Sequence, residues 1–167
     1  MAGSELRGVE AARADLFERA ICFVVPAGRG RVPAVDLVCR FWTRMGCKVK
    51  VVPADRHDRL VAAVSHVPQA AAAALVSATG ARDLAYAGKG FIDTSRIASG
   101  PADVWADIFL TNRLPVARGI DRVVTELKGL RRAIVQRDRR RIETFLGAAR
   151  DRRTRMIEGK IQRKELL

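Results

Sequence analysis

The segment from Gly88 to Arg96 has the residue types best suited to binding a ligand. Gly88 and Gly90 would let the backbone approach a bound molecule closely, because glycine has no Cβ. Arg96 could grip a carboxylate through two parallel hydrogen bonds, which suit a planar guanidinium. Alternatively, Arg96 is a solvated surface charge that pairs with Asp93. The glycines predict a loop from Gly88 to Gly100, with Arg96 as the residue that would bind an anion.

His66 is the second candidate, because it lies beside Pro68 within an apolar, helical segment. It could orient a ligand, but a core histidine without a chemical role is the competing interpretation. The three cysteines, at positions 22, 39 and 47, lack metal-ligand spacing and are predicted to be buried, reduced thiols. Neither glycine pair, 28 with 30 or 88 with 90, follows a strand and opens a helix with a third glycine in place. No dinucleotide-binding motif is therefore found in this chain.

Residues 1–54 are predicted to alternate helix and strand. A helix over Val9 to Arg19 precedes a buried strand from Ile21 to Val25, which Pro26 ends. A helix from about Pro33 to Gly46 leads to a second strand, Lys48 to Val52. A strand, helix and strand in this order normally belong to a mostly parallel sheet, whose strands need neighbours on both sides. This part therefore indicates the last piece of a larger α/β domain.

Residues 55–167 are predicted to be all-helical. Asp55 is the expected N-cap of a helix that Pro68 bends or restarts and that ends at Gly80. Pro101 opens the next helix, and Pro115 interrupts or restarts it. The apolar residues then recur every three or four positions, which predicts two amphipathic helices or one long broken helix. The apolar positions are Ile120, Val123, Leu127, Leu130 and Ile134, then Ile142, Phe145 and Ala149 after Asp138.

The net charge of +13 invites a nucleic-acid hypothesis, since Lys and Arg neutralise phosphates. From Arg118 onward there are 16 Lys and Arg residues against 7 Asp and Glu residues, alternating with an apolar stripe. Such a pattern is typical of a solvated helix face, and aromatic residues for base stacking are not interleaved with it. A basic surface could equally concentrate an anionic metabolite. Nucleic acid is not expected to be the main partner.

The apolar stretch from Val61 to Ala78 is not expected to span a membrane. It is interrupted by His66, Pro68 and Gln69, and much of it is alanine. The first ten residues lack the basic start and apolar run of a signal peptide. These features predict a cytoplasmic protein that has no membrane partner.

Four ordered segments resemble motifs of the prephenate dehydrogenase family. The family carries H-P-M-A-G-[ST]-E-x-x-G, then S-H-[LV]-P-H, then G-F-x-D-[ST]-[ST]-R-[IL]-A, followed by a helix. The corresponding segments are Met1 to Gly8, Ser65 to Gln69, Gly90 to Ala98, and Pro101 to Ile108 leading to Asn112. The resemblance implies a mainly α fold, in which the last strand, helix and strand of a Rossmann-like α/β domain precede a helical substrate and dimerisation domain.

The resemblance further implies an enzyme of tyrosine biosynthesis. In this family NAD or NADP accepts hydride from prephenate or arogenate, and carbon dioxide leaves as the ring becomes aromatic. The protein must then position an anionic substrate and hold its carboxylates. A homodimer is expected from the same resemblance and from the long apolar stripes.

By matching motifs, Arg96 is the residue expected to bind a substrate carboxylate. Ser4 and Glu5 would line the pocket, and Glu5 would gate or discriminate the side-chain end of the substrate. Two further residues are expected near the site from the helices: His66, which would contact or orient it, and Trp105, which the other subunit could deliver.

Two departures from the family pattern matter. Gln69 stands where the family often has a second histidine, which keeps a hydrogen-bonding group but removes a titratable one and puts tyrosine feedback in doubt. The family's general-base histidine precedes the matching methionine by two residues, and here that methionine is Met1. No catalytic residue or cofactor site is then expected in these 167 residues, and the chain alone is expected to be inactive.

Two alternatives stay open from the sequence. One is a non-catalytic binding or dimerisation module that keeps the arginine pocket. The other is a basic, nucleic-acid-associated helical protein that uses its C-terminal helices. The choice between NAD and NADP is also open, because the acidic residue that reads the ribose is expected in the nucleotide-binding half, outside these residues. The choice between prephenate and arogenate is equally open, since the two substrates differ only at the side-chain end.

Overall fold

The structure is a computed structural model that describes residue 9 and residues 12–28 and 33–163. Strands β1 (Ile21–Val24) and β2 (Lys48–Val51) pair in parallel, with Ile21 opposite Lys48 and Val24 opposite Val51. Helix α1 (Pro33–Arg44) connects them. This confirms the predicted strand, helix and strand, and each strand is one residue shorter than expected. The described residues contain these two strands and are otherwise mainly helical, so the predicted mainly α fold class is confirmed.

The predicted helix over Val9 to Arg19 is wrong for the part that the structure describes. Residues 14–19 form turns, and the backbone hydrogen bonds there join residues three apart, as from Glu18 N–H to Asp15 O. Arg19 has a positive φ of 58°, and its N–H donates to Gly46 O, where φ is 90°. The chain reverses here to enter β1, and this tertiary bond overrides the local helical pattern.

The other helices include those predicted after Asp55, Pro101 and Pro115, together with two short helices, Ala81–Leu84 and Lys89–Ser95, that were not predicted. A π-helical segment and a short 3-10 helix interrupt them at two places, described below. The helices are α2 (Ala54–Val61), α3 (Val67–Ala78), α4 (Ala81–Leu84), α5 (Lys89–Ser95), α6 (Ala102–Thr111), α7 (Arg113–Val135) and α8 (Arg139–Gln162).

Asp55 is not the N-cap of α2, as the sequence suggested. Pro53 occupies that position, and its carbonyl accepts from His57 N–H at 2.9 Å. Asp55 lies inside the first turn and pairs with Arg59 at 2.8 Å. A carboxylate there still favours the helix, because it faces the positive end of the helix dipole.

A π-helical segment, Ala62–His66, joins α2 to α3. Val67 N–H donates to Ala62 O, five residues back. Pro68 explains this widening, because in a regular α-helix its ring would clash with the carbonyl of Val64 and it has no N–H to donate. The predicted bend at Pro68 is thus a π segment, and His66 is its last residue.

The loop predicted from Gly88 to Gly100 is wrong, since α5 and a 3-10 helix, Arg96–Ser99, occupy it. The hydroxyls of Thr94 and Ser95 donate to carbonyls one turn back, each at 2.7 Å. Lys89 and Asp93 form an ion pair at 3.1 Å with helical spacing. These local bonds keep the segment helical despite its glycines.

Helices α6, α7 and α8 form the C-terminal part, and two long helices are present, as predicted. Pro115 is tolerated as the third residue of α7, where a backbone N–H has no partner inside the helix. Asp138 caps α8 by accepting from Arg141 N–H at 3.0 Å. At Gly119 of α7, a Cβ would collide with Val67, so α7 lies directly against α3.

The stretch Ala54–Ala78 is long and apolar enough, by length and composition alone, to cross a membrane. In the fold it is α2, the π segment and α3, which pack against α7. It buries Gln69, and Asp58 O accepts from the Asn112 side chain. The stretch therefore makes polar contacts inside the helical part of the fold. Only 28% of its most apolar window is buried within this chain, which leaves apolar surface for a partner.

Candidate functional site

His66 lies at the junction of the π segment with α3, and its ring packs edge-on against Trp105 of α6. The ring centroids are 6.1 Å apart and the planes meet at 79°. Trp105 in turn contacts Phe109, at 5.7 Å and 48°. The structure therefore brings together two of the residues singled out in the sequence, although 39 positions separate them along the chain.

Asn112, at the junction between α6 and α7, is hydrogen-bonded to the histidine. Its Nδ2 donates to Asp58 O at 2.9 Å and lies 3.2 Å from Nδ1 of His66. Only 8% of Asn112 is exposed. Its Oδ1 is buried and lacks a hydrogen-bond partner among the residues that the structure describes.

The surroundings of His66 favour its neutral form. Burial lowers the pKa of the imidazole below its ordinary value, and the nearby His57 lowers it further, while the Asp58 carboxylate acts in the opposite direction. His57 itself contacts Asp58, with 3.0 Å between Nδ1 and Oδ1. His66 is thus suited to hydrogen bonding as an uncharged group.

Gln69 and Trp105 meet at Gly100, the residue that follows the 3-10 helix. A Cβ on Gly100 would lie 2.8 Å from Cδ1 of Trp105 and 3.5 Å from Nε2 of Gln69. Gln69 is only 5% exposed. The close approach requires glycine here, and it places an indole and a carboxamide side by side, one turn of α3 after His66.

Arg96 begins the 3-10 helix that leads to Gly100, and this helix packs against α3. The arginine is therefore on a helical turn, not on the loop expected from the sequence. The suggested partner, Asp93, pairs instead with Lys89. The fold puts the turn that carries Arg96 next to the helix that carries Gln69, and Arg96 is an exposed residue.

Ser4 and Glu5 lie outside the described residues. Two residues of the site were missed as functional by sequence reasoning, namely Gly100 and the junction residue Asn112. The glycine could have been suspected from Gly100-Pro101, because a glycine before a helix-opening proline marks a fixed turn. Asn112 was noted only as the end of the fourth segment, without a role, and its contact with His66 joins residues 46 apart.

A second concave surface lies at the carboxyl ends of the two strands. It has a volume of about 670 Å³ and is lined by Pro26, Ala27 and Gly28 after β1, by Val51 at the end of β2 and by residues 52–55 after it. The carboxyl edge of a parallel sheet is where open α/β folds bind nucleotides. Across the described part of the chain, no group of three His, Cys, Asp or Glu side chains could hold a metal ion.

Relatives of this chain are known both by sequence and by structure. Residues 53–148 match the family model described as prephenate dehydrogenase, dimerization domain. A cyclohexadienyl dehydrogenase of Zymomonas mobilis is 27% identical over 145 residues, which are 83% of this chain and 50% of the relative. A prephenate dehydrogenase of Bacillus subtilis is 30% identical over 159 residues, which are 92% of this chain and 43% of the relative.

A crystal structure of prephenate dehydrogenase from Aquifex aeolicus, in complex with hydroxyphenyl propionate and NAD⁺, has a similar fold. The TM-score is 0.83 at 30% identity, covering 93% of this chain and 57% of that chain. This chain spans about half the length of the curated relatives it matches. The four motifs, the helical fold and the match over residues 53–148 agree, and the chain belongs to the prephenate dehydrogenase family.

Proposed function

We propose that this chain provides the substrate-binding and dimerising part of a prephenate or arogenate dehydrogenase. The observation that carries the proposal is the cluster of His66, Gln69 and Trp105 around Gly100, next to the turn that begins with Arg96. An aromatic wall, two neutral hydrogen-bonding groups and a guanidinium are the groups needed to hold a ring that carries carboxylates. The cytoplasm is the proposed location.

Each residue of the cluster has a proposed role. Arg96 binds a substrate carboxylate, because a planar guanidinium can make two parallel hydrogen bonds to the two carboxylate oxygens. Trp105 packs against the ring of the substrate and excludes water from it. Gln69 and His66 hydrogen-bond oxygen atoms of the substrate, and Ser4 and Glu5 complete the pocket.

In the proposed reaction, the substrate loses hydride from the ring carbon that bears the hydroxyl, and its ring carboxylate leaves as carbon dioxide. NAD or NADP, when bound, supplies the hydride acceptor. The groove after β1 and β2 fits one edge of such a cofactor, because backbone groups line the carboxyl ends of parallel strands there. The residues of this chain bind and orient the substrate.

The division of the chain into residues 1–54 and 55–167 belongs to the same proposal. Leu37 and Phe41 of α1, and Met45 in the turn just after it, are spaced four residues apart and are 62%, 56% and 44% exposed. An apolar stripe beside a two-stranded parallel sheet supports an α/β unit that packs against further structure. The helical part would carry the substrate site and the dimer contacts.

A homodimer is proposed from the exposed apolar surface of α7. An apolar groove of about 450 Å³ is lined by Val124, Leu127, Leu130, Ile134 and Val135, together with two cationic residues, Lys128 and Arg131. The matching family model is described as a dimerization domain. A second copy would bury these side chains by the hydrophobic effect.

Calorimetric titration of the 167-residue chain with prephenate, and separately with arogenate, tests the substrate proposal. We expect saturable binding that Arg96→Ala weakens at least tenfold, since a hydrogen-bonded ion pair with a carboxylate contributes about 1.5–3 kcal/mol. The matched control is Arg82→Ala, which removes an exposed arginine of α4 outside the cluster. Equal affinities for the two variants would refute the role of Arg96.

A further inference from the structure

Asn112 is oriented by a partner that can only accept hydrogen bonds. The backbone carbonyl of Asp58 lies 2.9 Å from the side-chain nitrogen, so this position must be occupied by the NH₂ group and not by the amide oxygen. The same nitrogen lies 3.2 Å from Nδ1 of His66. An NH₂ group has two hydrogens, and the two contacts use one each.

The side-chain oxygen of Asn112 has no partner among the described residues, which indicates that the fold holds this side chain through its NH₂ group. Oδ1 is buried and has no partner within the described ranges, although a buried acceptor without a donor destabilises a fold by about 1–3 kcal/mol. Its NH₂ group, in contrast, makes two hydrogen bonds. The residue is therefore held in the fold as a donor, and one of its two acceptors is the ring of His66.

A donor aimed at Nδ1 decides where the imidazole proton resides. Nδ1 must accept, so the neutral ring carries its hydrogen on Nε2. Among the described residues, His66 hydrogen-bonds through Nδ1 alone. Nε2–H is therefore available as a donor, and the edge contact with Trp105 restricts rotation of the ring.

We propose that Asn112 is a positioning residue that holds His66 as the neutral Nε2–H tautomer and so presents a hydrogen-bond donor to an oxygen of the bound substrate. The substrate part of this proposal rests on the proposed function. The chemistry selects carboxylate or carbonyl oxygens, because these accept from N–H, whereas the other tautomer would turn a lone pair toward them. Asn112 also joins α6 to α7, so one residue links the helix that bears Trp105 to the histidine.

Nitrogen NMR of the 167-residue chain labelled in its histidines tests the tautomer directly. The sequence contains two histidines, so the spectrum contains two rings, and His66→Gln assigns them. We expect His66 Nδ1 to resonate as an unprotonated nitrogen and Nε2 as a protonated one with a bonded hydrogen. A protonated Nδ1 in the neutral ring of the natural chain would overturn the proposal without any variant.

Asn112→Asp provides the complementary arm. A carboxylate can only accept, so it should draw the proton to Nδ1 and reverse the two nitrogen signals of His66, leaving His57 unchanged. Thr111→Ala is the matched control, because that hydroxyl bonds only within its own helix, to Asp107 O and Ile108 O. A folded Asn112→Asp chain whose His66 signals match those of the control would refute the inference.

The consequence for binding is measured separately by titrating the same chains with hydroxyphenylpropionate. Asn112→Asp should weaken binding about tenfold relative to Thr111→Ala, as expected when one hydrogen bond of about 1.4 kcal/mol is lost. A reversed tautomer with unchanged affinity would overturn the substrate part of the proposal. Absence of binding by the natural chain would count against the proposed function. The tautomer is measured without ligand, so that result would still test the role of Asn112.

Discussion

The indole of Trp105 lies against the Cα of Gly100, so close that a Cβ on Gly100 would lie 2.8 Å from Cδ1 of the indole. Real Cβ atoms do not approach an aromatic ring this closely. The indole is also held in place by His66 of the π segment and by Phe109 of α6. Gly100→Ala must therefore displace the ring or the turn. Gly100 thereby sets the distance between the 3-10 helix of Arg96 and the aromatic wall.

Gly100→Ala is expected to change the fluorescence of Trp105 and to lower the free energy of unfolding by about 1–3 kcal/mol, the usual effect of overpacking. The measurement uses a Trp42→Phe background, since the sequence has two tryptophans. Gly147→Ala is the control, because a Cβ there meets nothing within 4 Å. An emission spectrum unchanged by Gly100→Ala would show that Trp105 does not pack on this turn.

Gly119→Ala should separate α7 from α3. The added methyl group would collide with Val67 on the facing helix, which cannot move without disturbing the π segment beside it. We expect a loss of about 1–3 kcal/mol in the free energy of unfolding, measured by urea denaturation.

Gly129→Ala in the same helix is the matched control. A Cβ there meets nothing within 4 Å, so alanine should stabilise α7 by up to about 1 kcal/mol through its higher helix propensity. The two substitutions are chemically identical and should have opposite signs. Equal effects would contradict the close packing of α7 against α3.

The sequence predicted the elements better than it predicted the site. Apolar runs bounded by Pro26 and Pro53 marked both strands, and the helical periodicity marked α7 and α8, because these signals are local. The segment before Gly100 was misjudged because its glycines suggest a loop, while Thr94, Ser95 and a Lys89–Asp93 pair make it helical. Local patterns also omit any contact between distant residues.

The contact between Asn112 and His66 joins residues that are distant in the sequence. It depends on how α7 packs against the π segment, and a single sequence carries no signal for a pair 46 positions apart. The family resemblance identified Arg96, His66 and Trp105 as candidates. It gave no reason for the orientation of the histidine, which the fold alone provides.

Stability should depend on pH through His66. Its pKa is lowered in the folded chain by burial and by His57, so the unfolded chain takes up the proton first as the pH falls. The neutral ring makes its full contribution to the free energy of unfolding above about pH 6.5, the ordinary pKa of histidine. This contribution is lost as the pH falls toward the lower pKa of the folded chain. The free energy of unfolding should therefore decline on the acidic side of pH 6.5.

His66→Gln isolates this effect, because glutamine can still accept from Asn112 but does not titrate in this range. The difference between the two chains in free energy of unfolding, measured by urea denaturation above and below pH 6.5, should shrink on acidification. Parallel pH profiles would mean that His66 has the same pKa in the folded and unfolded chains.

The apolar stripe of α7 leads to a prediction about assembly. Leu127 and Ile134 are seven residues apart on one face of the helix, and they are 57% and 55% exposed. If a second copy covers this face, Leu127→Glu combined with Ile134→Glu would bury two carboxylates against apolar side chains, which is strongly unfavourable. Light scattering after size-exclusion chromatography should then report monomers where the natural chain gives dimers.

Thr125→Glu is the control, since it adds a carboxylate to α7 on the opposite side from Leu127, at an exposed position. This variant should remain dimeric. A natural chain that is monomeric at all concentrations would rule out the proposed homodimer. Dimers that survive the double substitution would place the contact on another surface, such as the exposed Leu146 and Met156 of α8.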